Sequence, residues 1–193
     1  MAVVEGYRTD EIERISVREA AFHTKTNRFY ALRAVDMRGW TWPFDELHHR
    51  KAVIVNIGVR GAKAAEEIAK IKRISDEIAP IDGTQVIAFP SDEFGAPATD
   101  DELRAFLFDT CGLHPNDASL KIMAKTRVDG PGAHPVFKLL KAMANIQDLG
   151  RDFAAYFYVN RNSHLQGVAD SADTMYARLF SGNLPIAHPF FHF

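Results

Sequence analysis

Two apolar runs in the first half of the chain predict strands that are covered on both faces. Residues 52–57 form an almost unbroken β-branched run, and residues 84–89 form a second run that Pro90 closes. Continuous apolar runs of this length are typical of the buried strands of a parallel sheet. An earlier strand is predicted at residues 29–35, ahead of the turn residues 36–39.

The second half of the chain is predicted to end the sheet with a hairpin. An aromatic run at residues 154–159 and another run at residues 165–169 are separated by the polar turn 160–163. Short strands joined by such a turn are expected to pair with each other. Residues 119–126 are predicted to form a short strand or an extended segment.

Helices are predicted between these strands from apolar spacing and from capping signals. The apolar residues from Ile68 to Ile78 follow helical spacing, and Pro80 is expected to stop that helix. Thr99 and Glu102 have the spacing of a capping box, which predicts that a helix begins there. Helices are predicted at residues 8–24, 63–78, 100–110, 134–143 and 171–180.

Strands that alternate with helices around buried runs indicate an α/β protein. We therefore expect a three-layer sandwich with a central mixed sheet and helices on both faces. A closing hairpin followed by a helix is the element order of the thioredoxin-like fold.

Composition and charge narrow the function classes. Among 193 residues, 23 Lys and Arg stand against 25 Asp and Glu, a formal net charge of −2, which argues against nucleic acid as the main partner. Cys111 is the single cysteine, so neither an internal disulfide nor a C-x-x-C motif can form. No apolar run has the length of a membrane span, and the acidic first residues are unlike a signal peptide. We expect a soluble protein in a reducing compartment, cytoplasmic or organellar.

Five segments, in order along the chain, resemble the motifs of the glutathione peroxidases. Residues 88–95 (A-F-P-S-D-E-F-G) are similar to the family's A-F-P-C-N-Q-F-G, and residues 128–135 (V-D-G-P-G-A-H-P) are similar to V-N-G-x-x-A-H-P. The other three segments are Phe29-Tyr30 with the turn 36–39, residues 55–58 and residues 159–162. The resemblance implies a thioredoxin-like domain at residues 27–181, an N-terminal extension at 1–26 and an aromatic C-terminal tail at 182–193.

The same resemblance implies that the catalytic positions have changed. The position of the family's nucleophilic cysteine or selenocysteine corresponds to Gly61, which has no side chain to form a thiolate. The family's glutamine corresponds to Glu93, a carboxylate that would raise the pKa of any neighbouring thiol. The family's Trp-Asn pair falls near Arg151 and Asp152. The resemblance thus implies the fold without the catalytic residues.

Other residue patterns are weaker candidates for chemistry. Cys111 is predicted at a helix C-terminus, where the negative partial charge disfavours a thiolate, and we interpret it as a partly buried, inert thiol. His48 and His49 are interpreted as solvated turn residues, and His188 and His192 lack an acidic or cysteine partner for a metal. Residues 58–61 precede a helix but match no phosphate-binding motif. No cofactor and no metal site are expected.

The terminal extensions favour a role in protein contacts. The tail carries Pro189, Phe190, Phe191 and Phe193 and no Asp, Glu, Lys or Arg, which favours a contact surface over a disordered segment. We therefore expect a catalytically degenerate relative that acts as a structural or accessory subunit of a larger protein complex, with a mitochondrial complex as one possibility. Two alternatives stay open: a residual thiol peroxidase that uses Cys111, and a small-ligand module in the pocket around Gly61, Glu93 and Asp152. A tail that folds back on its own domain is a further alternative to partner contact.

Overall fold

The fold is known from a computed structural model that describes residues 28–59, 62–94, 97–114, 116–149 and 155–181. Its centre is a five-stranded sheet with the strand order β5-β4-β3-β6-β7. These strands are β3 (Ala52–Gly58), β4 (Gln85–Ser91), β5 (Leu120–Ile122), β6 (Tyr156–Val159) and β7 (Leu165–Ala169). Strands β3, β4 and β5 are parallel, whereas β6 and β7 are antiparallel to their neighbours. The predicted mixed sheet is confirmed.

Within the described ranges, a two-stranded hairpin and four α-helices longer than one turn surround this sheet. The hairpin consists of β1 (Arg33–Val35) and β2 (Thr41–Pro43), and it is joined to the main sheet by the bridge between Asp36 and Met123. The helices are α1 (Ala62–Asp82), α2 (Asp100–Ala105), α3 (Pro135–Ala144) and α4 (Ala172–Ser181). Helix α2 continues as a π-helical turn over Phe106–Thr110, and 3-10 turns cover Phe44–Leu47 and Asp92–Phe94.

Each face of the sheet has its own apolar core, because side chains alternate along a strand. Val53 and Val55 of β3 pack on one face with Ile68 and Ile71 of α1. Ile54, between them in sequence, packs on the other face with the aromatic and aliphatic residues of α3 and β6, namely Phe137, Leu140 and Phe157. The continuous apolar runs predicted two covered faces, and this expectation is confirmed.

The helix caps follow their predicted chemistry. Thr99 and Glu102 form the capping box of α2, with each side chain accepting the other residue's backbone N–H. His134 caps α3, and Pro135 occupies the first turn, where its missing N–H costs no hydrogen bond. Ser171 Oγ accepts from the backbone N–H of Thr174 at the start of α4.

Three predicted boundaries are wrong. The strand predicted at residues 29–35 begins only at Arg33, because Phe29 is buried in the core and a turn closes from Leu32 N–H to Phe29 O. Pro80 does not stop α1, which runs to Asp82. A proline in the last turn removes only one helical hydrogen bond, and Gly83 then ends the helix with a left-handed φ of 74°.

Pro90 likewise does not close β4, which continues to Ser91. The carbonyl oxygen of Pro90 accepts from Thr126 N–H, so the polar side of this residue faces the chain beyond β5. Because β5 has already ended at Ile122, the N–H that proline lacks is not needed by a neighbouring strand. The predicted helix at residues 8–24 lies outside the described residues.

Candidate functional site

The carboxyl ends of β3 and β4 lie side by side and define the edge where the candidate site residues leave the sheet. Gly58 is paired with Ser91, so the chain toward α1 and the turn that carries Glu93 emerge together. Parallel α/β sheets bind their substrates at this edge. Gly61 and Asp152, two of the three predicted site positions, lie outside the described residues.

The Glu93 carboxylate, the third position, connects two turns of the backbone. Its Oε2 accepts from the backbone N–H groups of Val128 at 2.7 Å and Asp129 at 3.1 Å. Its Oε1 lies 3.4 Å from Nε of Arg127. The backbone N–H of Glu93 donates to Ser91 Oγ at 3.3 Å. The side chain therefore ties the turn after β4 to the segment that precedes α3.

Asp129 continues this connection into a buried charge pair. Nζ of Lys141 in α3 lies 2.6 Å from Asp129 Oδ1, and both carboxylate oxygens accept from the backbone N–H of Leu149, at 3.1 and 3.0 Å. The Lys141 side chain is almost wholly buried, so its charge depends on this partner. Arg127 with Glu93 and Lys141 with Asp129 therefore form two opposite-charge pairs near the carboxyl edge.

Asn56 holds the neighbouring strands at the same edge. Its Oδ1 accepts from the backbone N–H of Ala155 at 2.8 Å, which fastens the end of β3 to the start of β6. The residue is fully buried, and its Nδ2 has no hydrogen-bond partner among the described residues. A buried donor without a partner is uncommon in folded proteins.

His134 serves the backbone at this edge. Its Nδ1 accepts from Val136 N–H at 3.3 Å, and its ring lies 5.6 Å from the ring of Phe89. Burial lowers the pKa of the imidazole, which favours the neutral form that can accept this hydrogen bond.

In the sequence, Asn56, Asp129 and His134 stood out only as members of family motifs, and Lys141 did not stand out at all. A signal for Lys141 was present, because it follows Phe137 by four residues and therefore lies on the apolar face of α3. A lysine on such a face requires an acidic partner. The sequence did not indicate that this partner is Asp129.

Cys111 lies away from this network, at the end of the π-helical turn that follows α2. Its side chain is partly buried against the core on the α1 face of the sheet. Burial raises the pKa of the thiol, so the protonated and unreactive form prevails at neutral pH. The predicted position and partial burial of Cys111 are confirmed.

Of the four histidines and four tail residues singled out in the sequence, only His48 and His49 lie within the described residues. His48 and His49 are exposed, and the ring of His48 stacks on Tyr30 at 3.8 Å between centroids. Within the described ranges, no three His, Cys, Asp or Glu side chains are grouped in a way that could hold a metal ion. His188 and His192 lie outside those ranges, as do the four predicted contact residues Pro189, Phe190, Phe191 and Phe193. None of the helices in the described part is long and apolar enough to cross a membrane.

The sequence profile of the glutathione peroxidases matches residues 29–141, more than half of the chain. This chain belongs to the glutathione peroxidase family. A glutathione peroxidase-like peroxiredoxin of Saccharomyces cerevisiae is 34% identical over 121 residues, which are 60% of this chain and 68% of the yeast protein. The mitochondrial glutathione peroxidase 1 of Chlamydomonas reinhardtii is 28% identical over 136 residues, 69% of this chain and 66% of that protein. The matched region thus spans about two thirds of the length of these relatives.

Solved structures agree with this assignment of the fold. T. cruzi GPX1 superimposes with a TM-score of 0.57 at 20% identity, covering 82% of this chain and 99% of that chain. MTB dsbF superimposes with a TM-score of 0.53 at 12% identity, covering 81% of this chain and 98% of that chain. The predicted thioredoxin-like fold and the resemblance to glutathione peroxidases are both confirmed.

Proposed function

We propose that this chain is a glutathione peroxidase homologue without peroxidase activity, which acts as a structural or accessory subunit of a larger protein assembly. The observation that carries the proposal is the residue at the nucleophile's position. The family resemblance assigns that position to Gly61, and the chain's single cysteine is Cys111. A glycine cannot supply the thiolate that attacks a peroxide.

The contacts of Glu93 support the same conclusion. In the family motif this position is a glutamine, whereas here it is a carboxylate that accepts two backbone N–H groups and lies beside Arg127. A carboxylate near a thiol would favour the protonated thiol. The side chain therefore serves the connection between two turns rather than the activation of a nucleophile.

Cys111 is a poor substitute for the missing nucleophile. The thiolate is the reactive form of cysteine, and partial burial raises the pKa of this thiol. The residue also ends a helical segment, where the backbone carbonyls carry negative partial charge. Both effects disfavour the thiolate.

The proposed partners are other protein subunits, contacted through residues 1–26 and through Pro189, Phe190, Phe191 and Phe193. An aromatic segment without Asp, Glu, Lys or Arg is suited to the apolar centre of a protein interface. We further propose a reducing compartment, cytoplasmic or organellar. A mitochondrial assembly is one possibility, since one relative is a mitochondrial glutathione peroxidase.

Small-ligand binding is the second candidate function, and Asn56 favours it. Its buried Nδ2 has no partner within the described ranges and could donate to a small polar ligand. Glu93 argues the other way, because its carboxylate already accepts backbone donors. If the ligand exists, native mass spectrometry of the protein from its source will show a bound small molecule. A protein mass without any adduct would exclude a ligand held tightly enough to copurify.

A peroxidase assay tests the loss of activity. The purified full chain is given hydrogen peroxide or an organic hydroperoxide, with glutathione or reduced thioredoxin as the donor. We expect turnover equal to the protein-free background, for both the wild type and Cys111→Ser. Turnover above background that is lost in Cys111→Ser would show that the thiol is catalytic and would contradict the proposal.

A further inference from the structure

Helices α1 and α4 run in the same direction on one face of the sheet and end at the same place. Nζ of Lys70 lies 3.1 Å from Oδ2 of Asp173, near the start of α4. Two turns further along α1 and one turn further along α4, the Tyr176 hydroxyl donates to Glu77. Because later residues of one helix meet later residues of the other, their C-terminal turns lie together.

Three side chains stack on one another toward this common end, and the last of them, Phe180, is exposed to solvent. The guanidinium carbon of Arg73 lies 4.6 Å from the centroid of the Tyr176 ring. The Tyr176 and Phe180 rings follow at 6.0 Å, inclined by only 10°. Phe180 is 71% exposed, and Ile81, one turn beyond Glu77 in α1, is 76% exposed. The outer end of this stack is therefore exposed to solvent.

These two residues account for half of the large apolar side chains that are strongly exposed among the described residues. The other two, Val35 and Trp40, belong to the β1–β2 hairpin and the turn within it. Single exposed apolar residues are ordinary, but neighbouring ones indicate a surface that something covers. We call Ile81, Tyr176 and Phe180 the helix-end surface.

The chain itself supplies a suitable occupant. It leaves α4 at Ser181, next to Phe180, and residues 182–193 contain no Asp, Glu, Lys or Arg, although they include His188 and His192. The apolar residues of this segment are Leu184, Pro185, Ile186, Ala187, Pro189, Phe190, Phe191 and Phe193. Fully extended, the segment reaches roughly 40 Å, far more than the distance between adjacent helices.

We propose that the helix-end surface binds residues 184–193 of the same chain whenever no partner protein holds them. A tether this short gives the segment an effective concentration in the millimolar range, well above that of a second copy in dilute solution. Proline and aromatic rings also lose little side-chain entropy when they pack against the open face of Phe180. The contact is apolar and is therefore expected to resist salt.

This proposal deepens the proposed function, because it concerns the same aromatic segment that we assign to partner contact. The segment would exchange between its own helix-end surface in the free chain and a neighbouring subunit in the assembly. The two ideas fail separately. A free segment would leave partner binding intact, whereas a native protein that is always monomeric would leave the intramolecular contact intact.

Site-specific photo-crosslinking tests the contact in the full-length chain. The photoreactive residue p-benzoylphenylalanine replaces Phe180 in one variant and Ile81 in a second. The matched control carries it in place of Trp40, which is 72% exposed but lies on the hairpin. After irradiation at low micromolar concentration, we expect crosslinks from positions 180 and 81 to peptides within residues 184–193, in a product of monomeric mass. The control is expected to give none of them.

Three outcomes would overturn the proposal. They are the absence of these crosslinks from both helix positions, an equal yield from the control, or crosslinks found only in a covalent dimer, which would make a second copy the occupant. Hydrogen exchange provides an independent measurement that needs no photochemistry. In the double variant Ile81→Ser with Phe180→Ser, exchange of the amides in residues 184–193 should accelerate about tenfold over the wild type. An unchanged rate would equally contradict the proposal.

Discussion

The two edges of the central sheet are each fastened by a lysine–aspartate pair, but the pairs differ in their access to water. At the amino edge, Lys51 and Asp82 are 2.6 Å apart, with side chains 30% and 20% exposed. Near the carboxyl edge, Lys141 and Asp129 are also 2.6 Å apart, but the lysine is only 8% exposed and the aspartate 21%. The same distance therefore represents two different energetic situations.

The two pairs differ in whether water can solvate each charge when its partner is removed. Water reaches Lys51 and can solvate either member of the amino-edge pair, so that pair contributes little to stability. The ammonium of Lys141 has given up its hydration, and its pair is needed to offset that cost. The buried pair near the carboxyl edge therefore contributes to the stability of the fold.

The largest expected effect tests the buried pair. Lys141→Met removes the cation and leaves the Asp129 carboxylate without its charged partner, so we expect a loss of about 3 kcal/mol in the free energy of unfolding. Urea denaturation followed by circular dichroism measures it. The double variant Lys141→Met with Asp129→Asn removes both charges and keeps an acceptor for Leu149 N–H. It should recover most of the loss, and a double variant as unstable as the single one would show that packing, not charge, is responsible.

An intermediate effect is expected at Glu93. Glu93→Ala leaves the backbone N–H groups of Val128 and Asp129 without their acceptor, which should cost about 2 kcal/mol of unfolding free energy. In Glu93→Gln the amide oxygen can still accept, so the loss should stay below about 1 kcal/mol. Equal losses in the two variants would mean that the fold is stabilised by the charge of Glu93 opposite Arg127 and not by its hydrogen bonds with the backbone.

The smallest effect is expected at the amino edge, where Lys51→Met should cost about 1 kcal/mol or less. The hydrogen bond to Asp82 raises the pKa of Lys51 above its ordinary value of 10.5. Partial burial opposes ionisation of Asp82, but its hydrogen bonds with Lys51 and Thr84 outweigh burial and lower its pKa below 3.8. The contribution of Lys51 is therefore complete below pH 10.5 and lost as the pH rises through the raised value. That of Asp82 is complete above pH 3.8 and lost as the pH falls through the lowered value.

Unfolding measured from pH 2 to pH 11 checks these signs. The difference in stability between wild type and Lys51→Met should be constant across neutral pH and shrink at both ends. A cost at neutral pH as large as that of Lys141→Met would remove the contrast between the two edges.

The sequence predicted helices and strands best where they depend on residues that are adjacent in the sequence. The buried runs of β3 and β4, the capping box at Thr99 and the proline after His134 each fix an element within a few positions. The errors at Phe29, Pro80 and Pro90 arose where tertiary contacts override local preference. Phe29 packs into the core instead of extending a strand, Pro80 costs its helix only one hydrogen bond, and Pro90 lies beyond the end of the neighbouring strand β5.

The site was harder to predict because its contacts join distant parts of the chain. Glu93 was recognised from its motif, but its binding to the N–H groups of Val128 and Asp129 depends on how two turns meet. The pairing of Lys141 with Asp129 leaves no local signal beyond a lysine on an apolar helix face. Family resemblance predicted the positions of the candidate site, and for Glu93 the fold shows what the side chain contacts.

The native mass of the protein in a gentle extract of its own source tests the central claim most directly. A structural subunit should migrate far above the 21.6 kDa of the chain, in a peak that contains the same partner proteins in each preparation. Migration as a free monomer of 21.6 kDa would contradict the proposed role in an assembly.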